Sequence, residues 1–164
     1  MGFPTQQKFI IGECLVIKRG DEILTYPPKA GVLIFNHELT KILIVRNRYN
    51  KINPKWGLPK GHKEGSEEYF NCARRETFEE TGLNIQISNK NYYIKVNNSY
   101  YYVFSLPEKL LLDLKPNETK EIAEIKLVDI NSIHEHFSLN RELNIILKKK
   151  INFAKKKITK LNYL

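Results

Sequence analysis

The order of its apolar segments constrains this chain most: strand-length runs come first, one helical stretch interrupts them, and a second helical stretch follows at the end. Phe9-Ile10-Ile11 together with Cys14-Leu15-Val16-Ile17 reads as a first strand, Lys18 to Asp21 turns, and Glu22 to Tyr26 returns as a hairpin. After Pro27-Pro28, Ala30 to Phe35 and Ile42 to Arg46 are apolar strands around the turn Asn36 to Thr40, and Asn47 to Trp56 is a polar loop. A helix opens with Ser66 as its N-cap and Glu67 and Glu68 in its first turn, and Gly82 closes it as a C-cap. Leu83 to Ile87, Tyr92 to Val96, Tyr100 to Leu106 and Glu121 to Val128 read as further strands, with Asn97-Asn98-Ser99 as a hairpin turn. From Leu139 onward, Leu143, Ile146, Leu147, Ile151, Ala154, Ile158 and Leu161 recur at helical spacing, which predicts a basic amphipathic helix over about 139–161. This order predicts an α+β fold, an α/β/α sandwich around a mixed β-sheet, as a single domain over 1–164.

Composition narrows the class. A chain of 164 residues fits one domain on the usual scale of roughly 100–200 residues. Its 41% hydrophobic and 27% charged residues exclude wholesale disorder. Two cysteines, Cys14 and Cys72, argue against a disulfide-stapled fold and fit a reducing compartment. No apolar run approaches the ~18 residues of a membrane span, and the first residues carry no signal-peptide pattern. The expected location is therefore the cytoplasm, without a membrane partner. The net charge of +9 favours a polyanionic partner, although a lysine-rich codon bias produces the same excess. Where the charge gathers is informative: Lys148, Lys149, Lys150, Lys155, Lys156, Lys157 and Lys160 all lie on the last helical stretch. An RNA body needs such a surface, and a solvated helix face is the alternative.

The chemistry concentrates between Gly61 and Leu83. Glu76, Glu79 and Glu80 stand at i, i+3 and i+4, so one helix face carries all three carboxylates, while Phe70, Ala73 and Thr77 fall on an adjacent face. Three like charges at this spacing repel, and the repulsion raises at least one pKa. A divalent cation relieves it; Mg²⁺ takes hard oxygen ligands and commonly bridges carboxylates to substrate phosphates. An acidic, solvated helix face is the plain alternative.

The spacing Gly61-x5-Glu67-x7-Arg75-Glu76-x2-Glu79-Glu80-x-Gly82-Leu83 resembles the signature of the Nudix hydrolases. Thr77 departs from it, standing where the family usually has a bulky aliphatic residue. The resemblance implies an α/β/α sandwich and hydrolysis of a nucleoside diphosphate linked to another moiety, assisted by Mg²⁺ or Mn²⁺. It also implies Glu76, Glu79 and Glu80 as metal ligands, the Gly61 carbonyl as a further one, and Arg75 as a group that orients carboxylates such as Glu67. Glu79 and Glu80 are thereby catalytic candidates.

Flanking segments point further. Lys55-Trp56-Gly57-Leu58-Pro59-Lys60-Gly61 and Cys72 to Gly82 look like the corresponding runs of mRNA decapping enzymes, a likeness that spans roughly residues 28 to 130. It implies capped RNA as substrate and an extra catalytic carboxylate late in the chain. Glu121 is the candidate, as metal ligand or general base, with Glu118 and Glu124 as competitors. Trp56 is a candidate for stacking on a base, or else packs beneath the Pro59 loop. Lys60 is a candidate phosphate contact, Lys148 and Lys149 are candidates for the RNA body, and the outward members of Tyr92, Tyr93, Tyr100, Tyr101 and Tyr102 for lining a cleft. Gly61-His62 and Thr77 look equally like dinucleoside tetraphosphate hydrolases, and diphosphoinositol polyphosphate hydrolases are a third class suited to a basic surface. Without a separate amino-terminal regulatory domain, the expectation is a compact stand-alone enzyme. A nucleotide or RNA sensor on the same fold is the non-enzymatic alternative.

Overall fold

A computed structural model describes residues 5–49, 52–117 and 121–161. The chain opens with an antiparallel three-stranded sheet, β1 (Gln6–Ile11), β2 (Cys14–Arg19) and β3 (Glu22–Tyr26). The expected first strand is thus two, because the chain reverses between Ile11 and Cys14.

The main sheet is mixed. It contains β4 (Lys29–Asn36), β5 (Lys41–Asn47), β6 (Trp56–Gly57), β7 (Lys60–His62), β8 (Tyr93–Val96), β9 (Ser99–Leu106), β10 (Ile122–Asp129) and β11 (Thr159–Lys160). Its order is β10-β5-β4-β9-β11, with β6 on β5, β7 on β4 and β8 on β9. β4 runs parallel to β9, while β5 is antiparallel to both β4 and β10. β4 and β9 are buried along nearly their whole length because both faces are covered. Ala30, Val32 and Ile34 of β4 pack toward Cys72 and Ala73 of helix α1 (Tyr69–Thr81). Leu33 and Phe35 pack toward Leu143, Ile146, Ile151 and Ala154 on the opposite side. Those four belong to a helical layer of α3 (Arg141–Ile145), a π-helical turn (Ile146–Lys150) and α4 (Ile151–Lys156), which follows the short α2 (Ile133–His136). Each fully buried Val, Leu, Ile or Phe among them contributes about 1.5–3 kcal/mol. The α/β/α sandwich expected from the order of segments is the fold observed.

Several local expectations shift. Helix α1 begins at Tyr69, and Glu68, not Ser66, holds the N-cap position without a side-chain cap bond. Glu67 lies before the helix, where its carboxylate accepts the Glu64 N–H at 2.8 Å within a turn. Gly82 is the C-cap as expected, at φ 79°, with its N–H donating to the Phe78 carbonyl. Leu83, Ile85 and Ile87 are buried alternately, as in a strand, but have no ladder partner among the described residues. The closing helix stops at Lys156, and Thr159 and Lys160 pair instead with Phe104 and Ser105 as a short parallel strand. Tyr101 and Tyr102 are both buried although adjacent, because β9 is covered on both faces.

Candidate active site

Helix α1 turns Glu76 and Glu80 toward β7, the strand holding Gly61, while Glu79 meets Arg75 on the same helix. Glu76 and Glu80 are each only 7% exposed. Burial pushes the Glu80 carboxyl up to about 8, even though the Lys60 backbone N–H donates to its Oε2 at 2.8 Å and favours the charged form. Burial likewise raises Glu76, against the opposing pull of Arg75. Gly61 is where β7 and α1 meet most closely: a Cβ there would stand 2.0 Å from the Glu76 carboxyl carbon. Only glycine lets that carboxylate lie against the Gly61 backbone. The Gly61 carbonyl accepts the Cys72 thiol at 3.6 Å, and burial pushes that thiol up to about 12, leaving it neutral.

Arg75 gathers the acids. Its Nη2 donates to Glu67 Oε1 at 2.7 Å and to the His62 carbonyl at 3.1 Å, and its Nη1 donates to Glu76 Oε1 at 2.8 Å and Glu79 Oε1 at 3.5 Å. The Arg75–Glu67 pair holds the Glu67 carboxyl below its usual range. The donor set for a cation is all oxygen, which suits Mg²⁺ or Mn²⁺. As they stand, no three His, Cys, Asp or Glu side chains among the described residues are gathered closely enough to hold an ion. Glu76 and Glu79 each accept from Arg75 at Oε1.

A cleft of about 560 Å³ opens beside these carboxylates. Glu80 and Glu121 line it together with three cations, Lys29, Lys55 and Lys60. Glu121 is exposed, and its charge bears on Glu76, Glu80 and His62. Of its competitors, Glu124 stands directly across the ladder from Arg46 and pairs with it at 2.7 Å, while Glu118 lies outside the described residues. Burial holds the Lys60 ammonium below its usual range; Lys29 adds to this, and Glu142 and Glu80 oppose it. Burial, with Lys29, likewise lowers His62.

Trp56 does not line this cleft. It is 7% exposed, its ring meets Phe137 edge-on at 5.2 Å, and the Arg46 and Lys126 side chains lie over it at 6.0 and 5.8 Å. It packs into the core beside Leu58 and Leu139, so its faces are already covered. The tyrosines of β8 and β9 do not line the cleft either; Tyr93 and Tyr100 contact one another at 5.2 Å on the α1 side of the sheet, where Tyr69 meets Tyr100 at 4.1 Å. Lys148 and Lys149 are exposed on the π-helical turn. Lys148 lines a second groove of about 550 Å³ with Arg141, Asn144, Lys55 and Asn140, and the last two also line the cleft.

Reasoning from sequence alone missed Lys29, Asn140 and Glu142. Lys29 reaches the site because β4 pairs it with His62. Asn140 caps α3, its Oδ1 accepting the Leu143 N–H at 2.9 Å. Glu142 accepts from Ser99 Oγ at 2.8 Å and from the Tyr101 hydroxyl. No local pattern signals Lys29 or Glu142, whereas Asn140 before an apolar period was legible as an N-cap.

Residues 25–149 match the NUDIX domain family. An RNA pyrophosphohydrolase of Bartonella henselae is 28% identical over 93 residues, covering 54% of this chain and 50% of that protein. A putative hydrolase, 111R, of Invertebrate iridescent virus 3 is 34% identical over 104 residues, covering 62% of this chain and 58% of that protein. The m7GpppN-mRNA hydrolase dcap-2 of Caenorhabditis elegans is 28% identical over 128 residues, which is 70% of this chain but 16% of that protein. The chain thus spans less than two thirds of the length of each of these relatives. Among solved structures, a Caenorhabditis elegans Ap4A hydrolase shares the fold with a TM-score of 0.59 at 19% identity, over 80% of this chain and 99% of that one. The family match runs from β3 through the π-helical turn and takes in the glutamate helix and the glycine strand facing it: the chain belongs to the NUDIX domain family.

Proposed function

We propose that this chain is a divalent-cation-dependent pyrophosphohydrolase acting on the 5′ end of RNA, and that it removes the mRNA cap to give 7-methyl-GDP and 5′-monophosphate RNA. One observation carries the reading: the buried Glu80, held by the Lys60 backbone next to the Glu76–Gly61 contact, shares a cleft with Glu121 and three lysines. Acidic and basic groups side by side suit a substrate whose phosphates are held by cations while a carboxylate accepts a proton.

Glu76, Glu79, Glu80 and the Gly61 carbonyl would hold Mg²⁺ or Mn²⁺. Such an ion, when bound, offsets negative charge on phosphate oxygens and lowers the pKa of water. The remaining work belongs to the chain. Lys29, Lys55 and Lys60 hold the triphosphate bridge by charge. Arg75 keeps Glu67 and the helix acids in place. Glu121, exposed on the cleft wall, takes the proton of the attacking water. Water adds to the middle phosphorus of the bridge, and the bond from that phosphorus to the oxygen shared with the RNA-proximal phosphate breaks. The RNA leaves as a 5′-monophosphate, and the cap keeps the other two phosphates as 7-methyl-GDP. The RNA body leaves along the groove of Lys55, Arg141 and Lys148, with Lys149 beside it.

The relatives named for RNA pyrophosphate chemistry support this reading over free dinucleotides. A substrate panel tests it: capped RNA, free cap dinucleotide, diadenosine tetraphosphate and a diphosphoinositol, each with Mg²⁺ and with Mn²⁺. Capped RNA is expected to be much the best substrate. Faster turnover of the free dinucleotides would overturn decapping and favour a dinucleoside tetraphosphate hydrolase; no turnover of any pyrophosphate would favour a sensor.

A further inference from the structure

The cleft offers charge to a phosphate chain, and Trp56 is covered, so a nucleobase needs another surface. Of the residues lining the cleft, Tyr49 is the only Phe, Tyr or Trp among those described. It is 73% exposed. Other exposed aromatics lie elsewhere: Phe78 faces a separate shallow groove with Arg74 and Arg75, and Phe153 sits on α4 against Tyr92.

The backbone at Tyr49 is held in place. Its N–H donates to Asn47 Oδ1 at 2.9 Å, which ties it to the end of β5. The preceding N–H, of Arg48, donates to the Glu121 carbonyl at 2.7 Å. The ring therefore stands on the wall that carries the cleft carboxylate Glu121, with the three lysines on the same cleft. A flat apolar ring beside a cationic phosphate path matches a nucleotide: phosphates on the lysines, base on the ring.

We infer that Tyr49 is the stacking platform for the nucleobase adjoining the pyrophosphate, which makes the cleft a nucleotide site rather than a general polyphosphate site. This rests on the pyrophosphohydrolase reading for its place in the reaction, but not for its binding. Stacking on an aromatic ring tolerates any base and is lost on truncation to alanine, by roughly 5- to 150-fold in affinity.

The test is calorimetric titration, with Mg²⁺, of 7-methyl-GDP, GDP and inorganic pyrophosphate into the wild-type protein, Tyr49→Ala, Tyr49→Phe and Tyr49→Trp. Tyr49→Ala is expected to weaken both nucleotides by roughly 5- to 150-fold and to leave pyrophosphate unchanged. The Phe and Trp variants should bind nucleotides as the wild type does. With capped substrate, KM should rise by the same factor at unchanged kcat. Equal losses for nucleotides and pyrophosphate, no loss in Tyr49→Ala, or no nucleotide binding by the wild type would overturn the proposal. Failure of the hydrolase reading looks different: no variant turns over any pyrophosphate, yet nucleotide binding still depends on the ring.

Discussion

Glu80 is an acid kept from water, its Oε2 accepting the Lys60 backbone N–H. Its carboxyl sits at about 8 in the folded protein against an ordinary 4.5. Between those values the native state keeps a proton that the unfolded chain releases, so this group makes stability fall as pH rises from about 4.5 to about 8. Glu80→Gln removes the titration. Melting of the metal-free variant should change less than the wild type across that window, and the variant should be the more stable at the alkaline end. Added Mg²⁺ should raise the wild-type melting temperature most near the alkaline end, because a cation takes the deprotonated carboxylate. Turnover should collapse in the same variant. Wild-type turnover by Glu80→Gln would remove that residue from the site.

At the scale of elements, the segment around Trp56 ties the main sheet to the helical layer. The Trp56 N–H donates to the Ser138 carbonyl and its own carbonyl accepts the Asn140 N–H, both at 2.8 Å. The ring fills the space between β5 and the layer containing Leu139 and Leu143. Truncating a buried Trp typically costs about 3–5 kcal/mol. Trp56→Ala should lose stability on that scale in urea unfolding, with the start of α3 loosened. As the only tryptophan in the chain, Trp56 should also fluoresce like an apolar, sheltered indole and stay unquenched on nucleotide binding. A loss below about 1 kcal/mol with strong quenching would restore it as a stacking residue.

Across the whole molecule the question is whether the +9 charge has a direction. Lys148 and Lys149 are exposed on the π-helical turn, and Lys148 shares a groove with Lys55 and Arg141 that adjoins the cleft. Each phosphate neutralised on single-stranded RNA contributes about 0.7 to the slope of log K against log salt. Replacing Lys148, Lys149, Lys155 and Lys156 with Gln should flatten that slope by roughly 0.7 per lost contact. Uncapped RNA should inhibit decapping at low salt and release it at high salt. An unchanged slope would make the lysines a solvated face.

What the sequence determined by itself is what repeats locally. The helical period placed three glutamates on one face, glycine closed the helix at Gly82, and apolar runs of strand length named most of the sheet. The Glu67–Arg75 pair was also legible, since one helix and its approach carry both residues. Only the tertiary structure decided which residues surround those glutamates. Strand partners come from distant parts of the chain, and no local period encodes them. Pairing of β4 with β7 brings Lys29 to His62, and the irregular register of β10 at Ile122 and Glu124 leaves Glu121 on the cleft while Glu124 meets Arg46. The same packing buries Trp56, exposes Tyr49, and ends the last helix at Lys156 to add a strand beside β9. In each case a side chain's chemistry was readable from its type, but its exposure depends on a layer that only long-range packing lays over it.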